Sequence, residues 1–360
     1  MRRRAHPGQG PCLLLGRTGI GVMIPIMPIT VFQGKLRKGE AIAGRYRILR
    51  KLGEGGAGSV YHCRDLKRDA EVAVKVLDNP SDAGRFRREA RVMKAVNHLH
   101  VLRLISSGNH EGQVPYLVLE YMDGGSLRQY MDRRKRLPPE EAAWILVQAI
   151  RGLRAARTVH RDLKPENLLI QIPEGSRSVR FHPGDTETAA VVKVADFGLA
   201  KPPGGTNETS LTRSAAIMGT PTYMSPEQCR STKNVSFKTD IYALGCILVE
   251  MVSGTPPYDA NNVYDIMAMH CSDDDKPSMG RMPKAVKAIA ATCLEKSPGR
   301  RYKSFKALED DLAQVAGVAP ERGTGMAFWL FLLLLLLIIL GAAAAWYWFD
   351  DIREWLPIGS

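Results

Sequence analysis

The sequence predicts an α+β protein of two lobes, a small β-rich one ahead of a larger helical one, with one membrane-spanning helix at its C-terminal end. Three observations carry this. Short β-rich runs alternate with turn residues between positions 46 and 120, broken by a single helical stretch at 81–96. Helical patterning takes over after Gly124-Gly125, and the twenty-four residues 326–349 contain no charge. With 360 residues, 45% of them hydrophobic and 24% charged, the composition excludes wholesale disorder and a polytopic membrane protein.

Residues 1–43 form a basic, irregular N-terminal arm in which Gly and Pro interrupt short apolar runs. The first 51 residues hold eleven Lys and Arg against Glu40, so +10 of the net +13 sits there and the body is nearly neutral. A nucleic-acid contact would rest on that arm alone, and nucleic acid is not the expected main partner. The six cysteines are scattered without a C-x-x-C pair, which argues against a disulfide framework or zinc knuckle and for a reducing compartment. The β-rich runs at 46–49, 59–63, 71–77, 102–106 and 116–120, with the 81–96 helix, make up a first lobe at 44–121. Helices at 139–156 and 240–252 are the clearest parts of a second lobe at 122–316.

Residues 317–325 read as a linker containing Pro320 and three glycines, and 326–349 as a transmembrane helix. As a helix that segment reaches about 36 Å, enough for a hydrocarbon core of about 30 Å. Eight leucines favour insertion, and Trp329 at one end faces Trp346, Tyr347 and Trp348 at the other, as in interfacial aromatic belts. Residues 350–360 would form a short extracytoplasmic tail.

The chemistry begins at Gly53-Glu54-Gly55-Gly56-Ala57-Gly58-Ser59-Val60, between two expected strands. Glycines let backbone N–H groups approach phosphate oxygens. Alone, the pattern also fits a dinucleotide fingerprint, but that needs a helix directly after the turn. Here the chain continues as strand, so a hairpin flap is expected, and the G-x-x-x-x-G-K-[ST] run of a P-loop is missing. Next comes Lys75 on the apolar run Val72-Ala73-Val74. It is either a solvated edge charge or a buried cation needing an anion, and Glu89 on the 81–96 helix is the available carboxylate. His98 and His100 lack ligand-spaced partners, as does the Asp273-Asp274-Asp275 run, so no metal role is expected there.

Two further motifs complete the pattern: His160-Arg161-Asp162-Leu163-Lys164-Pro165-Glu166-Asn167 and Asp196-Phe197-Gly198, followed by Ser225-Pro226-Glu227. With the glycine flap, Lys75 and Glu89 they occur in the order found in the eukaryotic-type protein kinases, which the sequence closely resembles over about residues 46–315. Lys164, and Gly219-Thr220 before Ser225, are similar to the serine/threonine branch. The resemblance implies a bilobal protein kinase-like fold with ATP bound between the lobes. Leu52, Gly53, Glu54, Gly55, Gly56, Ala57, Gly58 and Ser59 would close over the nucleotide. Val60 and Ala73 would lie above the adenine, Leu169 below it, and Glu120 and Met122 at its edge. Lys75, paired with Glu89, would hold the α- and β-phosphates. Asp162 would take the substrate hydroxyl proton, Lys164 would stabilise the γ-phosphate, and Asn167 and Asp196 would bind Mg²⁺, with Mn²⁺ as an alternative metal.

The resemblance also implies protein substrates bearing Ser or Thr, and activation by phosphate on Thr212 and Ser214, placed by the protein itself and paired with Arg161. A homodimer would allow phosphorylation in trans. Asn167 and Asp196 are 29 positions apart, about twice the family spacing, so 171–190 is expected as a surface hairpin tip. Ser225 replaces the usual Ala, while Glu227 remains, with Arg301 as its expected partner. Since ATP is cytoplasmic, the plan resembles bacterial inner-membrane, single-pass serine/threonine kinases, with Arg322 on the inside. The alternative is a membrane-anchored pseudokinase scaffold, which the presence of Lys75, Asp162, Asn167 and Asp196 disfavours.

Overall fold

The computed structural model describes residues 36–55, 58–78, 83–111, 114–176, 178–197, 221–230, 235–319 and 324–355. The first lobe is an antiparallel sheet of order β1-β2-β3-β4-β6-β5. Its strands are β1 (Ala41–Ile42), β2 (Tyr46–Gly55), β3 (Gly58–Asp65), β4 (Ala70–Val76), β5 (Leu104–His110) and β6 (Val114–Glu120). The period of two along β4 sorts its side chains. Val72, Val74 and Val76 enter a cluster with Ile42, Ile48 and Val118 on the outer side. Ala73 and Leu77 enter a second cluster facing the other lobe. Lys75 alternates with the valines and therefore shares the inner face. Helix α1 (Ala83–Ala95) covers that face with Ala83, Phe86, Ala90 and Met93, an apolar stripe at helical spacing. Glu89 lies on the same stripe, three residues after Phe86.

The second lobe opens with β7 (Gly125–Ser126) and α2 (Leu127–Arg134), whose start is fixed by a reciprocal cap between Ser126 and Gln129. Helix α3 (Pro139–Ala156) begins with proline, which lacks the N–H that the first helical turn leaves unpaired. A 3-10 turn (Pro165–Asn167) leads into β8 (Leu168–Gln171), which pairs antiparallel with β9 (Val191–Val194). There follow α4 (Pro226–Arg230), α5 (Phe237–Ser253), α6 (Val263–Cys271), α7 (Lys284–Cys293) and α8 (Phe305–Val315). Helix α5 is buried on nearly every side, capped by Ser236 and ended by Gly254 at φ 86°. It forms the axis of a core shared with Trp144, Ile150, Val286 and Leu312.

The lobes are stitched together where His100–Leu102 meet the end of β9. Leu102 N–H donates to Val194 O at 3.0 Å, and Val194 N–H to His100 O at 2.9 Å. Helix α3 presses on this seam through Gly152, where a Cβ would lie 2.2 Å from His100 O. Glycine is therefore a steric requirement, and the seam fixes the position of Asp196, two residues beyond β9.

The strands and helices expected in the two lobes are found, with shifts that have local causes. The 102–106 run becomes Leu104–His110 because Leu102 spends its N–H on Val194. The 240–252 helix lengthens to Phe237–Ser253 because Ser236 caps it. Residues 81 and 82 of the expected first helix lie outside the described residues. The 171–190 segment does join β8 to β9 as a hairpin tip, but it is not wholly a surface feature. Phe181 is buried edge-on against Tyr130 of α2 at 5.7 Å, and Ala190 N–H returns to Arg180 O at 2.8 Å. Val179, Phe181 and Ala190 together pack this part of the tip onto the lobe.

Helix α9 runs from Thr324 to Trp355. Its burial is described at 330–346, where the side chains, Leu330 to Trp346, are nearly all exposed. Among the described residues, no helix is long and apolar enough to cross a membrane. The span expected at 326–349 extends beyond that stretch at both ends.

Candidate active site

Between the lobes, residues distant in sequence share one apolar cluster. Leu52, Val60 and Ala73 from the first lobe, Met122 from the connection and Leu169 from the second lobe all pack with Ala195 and Leu119. These are the positions expected to enclose an adenine. The flap above them is formed by β2 and β3, with Gly55 opposite Gly58; Gly56 and Ala57 lie outside the described residues. At Gly53 a Cβ would meet no atom within 4 Å, so the chain's own packing does not demand glycine there. Gly58 differs: its φ is 149° and a Cβ would lie 2.0 Å from Val76 O.

Below the flap, Lys75 Nζ donates to Glu89 at 2.7 and 2.9 Å and to Asp196 Oδ1 at 2.5 Å. The lysine side chain is 8% exposed and Glu89 only 2%, whereas Asp196 keeps 27% of its surface. Burial opposes the lysine's charge, but Asp196 and then Glu89 outweigh it and raise its pKa. Burial and the Asp196 carboxylate push Glu89 up to about 8 against the pull of Lys75. Asp196 is held below its ordinary value: burial works against it, and Lys75 prevails. One cation thus serves two carboxylates, and the deeper one holds its proton more tightly than an ordinary glutamate.

The second group of residues is the loop 160–167. Asp162 is 39% exposed and accepts from Lys164 Nζ at 2.9 Å. Asn167 Nδ2 donates to Asp162 O at 2.7 Å, which leaves its Oδ1 for another partner. The loop backbone is held from beneath by Asp240 of α5, whose two oxygens accept the N–H groups of His160 and Arg161 at 2.9 Å each. His160 accepts at Nδ1 from Asp162 N–H and therefore carries its proton on Nε2, which bonds Ala195 O at 2.7 Å. Its ring also lies 5.1 Å from that of buried Phe197. Arg161 and Asp196 both adopt left-handed backbone, with φ of 68° and 66°. Such residues cost about 1–3 kcal/mol each and persist where surroundings over-determine them. Here Asp240 and Gln228, whose Nε2 donates to Arg161 O at 2.7 Å, do so for the loop.

The expected Glu227–Arg301 pair is present as a fork at 2.8 and 2.9 Å, with the arginine side chain fully buried and also bonded to Glu295, Lys296 and Lys238 carbonyls. Glu120 sits at the edge of the adenine cluster, but its carboxylate is committed to Lys193 at 2.9 Å and to Arg103 N–H. Its backbone N–H is spent as well, on Arg103 O at 3.1 Å. Sequence reasoning missed Asp240, Lys193 and Gln228, and it missed the cluster in which Arg128 reaches Glu250 at 2.7 Å and Tyr223 at 3.2 Å. Glu250 had a readable signal, as an acid within an apolar run of its helix. Thr212 and Ser214 lie outside the described residues.

The raised Glu89 carboxyl has a measurable consequence in the nucleotide-free protein. A carboxyl raised from 4.5 to about 8 contributes stability that is complete below its unfolded value and is lost as pH rises through its folded value. Losses at Asp196 fall below 3.8, and those at Lys75 above 10.5, outside this window. The wild-type stability advantage over Glu89→Gln, measured by urea unfolding, should therefore shrink from pH 4.5 to 8. A difference that stays flat or grows would contradict the assignment.

Comparison with known proteins agrees with this geometry. The protein kinase domain model matches residues 46–312. Serine/threonine-protein kinase PknB of Mycobacterium leprae is 33% identical over 295 residues, covering 78% of this chain and 44% of the relative. Serine/threonine-protein kinase PrkC of Bacillus subtilis is 34% identical over 286 residues, covering 76% and 41%. For serine/threonine-protein kinase pkn3 of Myxococcus xanthus the identity is 31% over 291 residues, covering 77% and 51%. The chain spans about half or less of the length of these curated relatives. Matched in a single block through both lobes, the chain belongs to the protein kinase family, in its eukaryotic-type (Hanks-type) serine/threonine branch.

Proposed function

We propose that this chain transfers the γ-phosphoryl group of ATP to serine and threonine hydroxyls of proteins. The observation that carries this is the convergence of Lys75, Glu89 and Asp196 beside an apolar cluster shared by the two lobes, with Asp162, Lys164 and Asn167 on a loop braced by Asp240.

Family membership brings ATP and a divalent metal, typically Mg²⁺. The donors present fit that ion. Among the described residues no cluster of three His, Cys, Asp or Glu could cage a metal, but Mg²⁺ is usually held by one or two protein oxygens together with substrate phosphates and water. Asp196 and the Oδ1 of Asn167 are hard oxygen donors of this kind, and Mn²⁺ would accept the same pair. The bound metal would neutralise charge on the phosphates. Lys75, already pinned by Glu89, binds the α- and β-phosphate oxygens. Gly53, Gly55 and Gly58 let the flap backbone close on the triphosphate. Asp162 orients the acceptor hydroxyl and takes its proton, while Lys164 stabilises charge on the transferring group. Asn167 fixes Asp162 through its carbonyl. Little bond chemistry falls to the protein, so positioning and fixed charge supply the acceleration.

Two finer elements belong to the same proposal. Phosphate on Thr212 or Ser214, placed in trans within a homodimer, would pair with Arg161 and order the segment before α4. Helix α9 tethers the kinase lobes to the cytoplasmic face of a membrane. Its support is the row of apolar side chains from Leu330 to Leu340, which, Leu332 apart, stand exposed among the described residues and need an apolar surrounding.

Labelled ATP incubated with the purified chain and a general protein acceptor should label both on serine and threonine. Asp162→Asn should lower kcat by about 100- to 10,000-fold with the fold intact. Transfer by Asp162→Asn equal to wild type would refute the proposal. For the tether, the chain should stay with membranes through alkaline carbonate washing. Replacing Leu334 and Leu336 with arginine, at about 2.5–3.5 kcal/mol each against insertion, should release it. Recovery of the unaltered chain in the supernatant would rule out a spanning helix.

A further inference from the structure

Helix α1 is charged on one side only. Its thirteen residues carry Arg85, Arg87, Arg88, Arg91 and Lys94 against a single acid, Glu89. That acid is buried on the inner side and already serves Lys75. Arg87, Arg88, Arg91 and Lys94 are exposed. Arg87, Arg91 and Lys94 follow one another at spacings of four and three, so they form one stripe about 10 Å long. Arg88 flanks it, three residues before Arg91. Among the described residues, none of the four makes an ion pair or a side-chain hydrogen bond.

This arrangement works against the helix that carries it. Like charges three and four residues apart repel along a helix. The first turn of α1 also holds no acid, and its arginines crowd toward the positive end of the helix dipole. The core gains nothing in exchange, because the packing of α1 comes from Ala83, Phe86, Ala90 and Met93 on its other side. A polyanion laid along the stripe relieves both the mutual repulsion and the unfavourable dipole.

We propose that the exposed face of α1 docks on an anionic bilayer surface, with lipid phosphates as its counter-charge. Four cations spread over two turns match a surface of many charges better than they match one phosphate group. The choice of a bilayer rests on the tether proposed above; the charge of the face does not. Residues 316–323 alone separate α8 from α9, a reach of about 28 Å at most. A spanning α9 therefore keeps the lobes at high local concentration beside the headgroups, where basic side chains add to binding one by one. Docking holds α1 from outside, while Glu89 on its inner side faces Lys75.

Flotation with vesicles separates the face from the tether. Full-length chain carrying Leu334→Arg and Leu336→Arg, the substitutions that release the tether, is mixed with vesicles of phosphatidylcholine alone or of equal parts phosphatidylcholine and phosphatidylglycerol. It should float with the anionic vesicles and stay off the neutral ones. Adding Arg87→Gln, Arg88→Gln, Arg91→Gln and Lys94→Gln should weaken anionic binding about tenfold or more. The urea midpoint should not fall, since glutamine suits a helix and the repulsion is gone. Arg87→Lys, Arg88→Lys and Arg91→Lys together should keep the binding, because charge is what the bilayer reads. Raising salt from about 0.1 M to about 1 M, which shortens the screening length from about 10 to about 3 Å, should abolish it. Undiminished binding after the four glutamine substitutions would place it on the basic N-terminal arm and overturn the proposal, as would loss of binding in the lysine variant. Binding through α1 that appears only after phosphatase treatment would name the chain's own phosphorylated segment as the occupant, and would also overturn it. If the chain without any substitution stays off neutral vesicles while binding through α1 to anionic ones persists, the docking face stands and the tether falls.

Discussion

The arrangement depends on one buried ammonium. Lys75 is taken out of water on the inner face of a strand, and its charge is tolerable only because Glu89 and Asp196 face it from two other elements. Removing one partner from a buried pair typically costs about 3–5 kcal/mol, because the other charge is left uncompensated. Each partner in turn fixes a larger piece of structure. Glu89 ties α1 to β4, and Asp196 ties the residues after β9 to the same strand. The lobes therefore meet at a charge that only one relative position satisfies. The same three groups provide a cation for phosphate oxygens and a half-exposed carboxylate for a hard metal, so the contact that orients the lobes also prepares the cleft.

Beneath this, the second lobe is organised to hold a short loop in a conformation it would not choose alone. Asp240 is the hub. It is enclosed by α5, burial pushes its carboxyl upward, and it accepts two consecutive backbone N–H groups. His160 transmits that position to the segment carrying Asp196, through its bond to Ala195 O. The left-handed backbone at Arg161 and Asp196 is thus tied into one network with Asp162. Strain at these two residues and rigidity beneath them are complementary: the loop is exposed enough to meet substrate and too well bonded to relax away from it.

Much of this was legible in the sequence because the motifs are local and their chemistry is specific. The run Val72-Ala73-Val74-Lys75 left the lysine either a solvated edge charge or a buried cation, with Glu89 as the available anion. The Glu227–Arg301 pair followed from the motif it belongs to. What could not be read were partners joined only by tertiary packing. Glu120 looked like part of an adenine edge, yet its carboxylate belongs to Lys193, 73 residues away. Asp240 resembled an ordinary acid in the first turn of a helix. The 171–190 segment looked like a surface tip, yet Phe181 packs it against α2. Gly152 gave no signal at all, because its role depends on the carbonyl of His100 arriving from the other lobe.

The most direct test of the central cluster is calorimetric titration of ATP into the wild-type chain and into Asp196→Asn, each with and without Mg²⁺. If Asp196 is the carboxylate that receives the metal while Lys75 receives the phosphates, Mg²⁺ should tighten ATP binding to the wild type by about tenfold or more and leave the variant nearly unchanged. Equal tightening in both proteins would show that the cleft grips its nucleotide by some other arrangement.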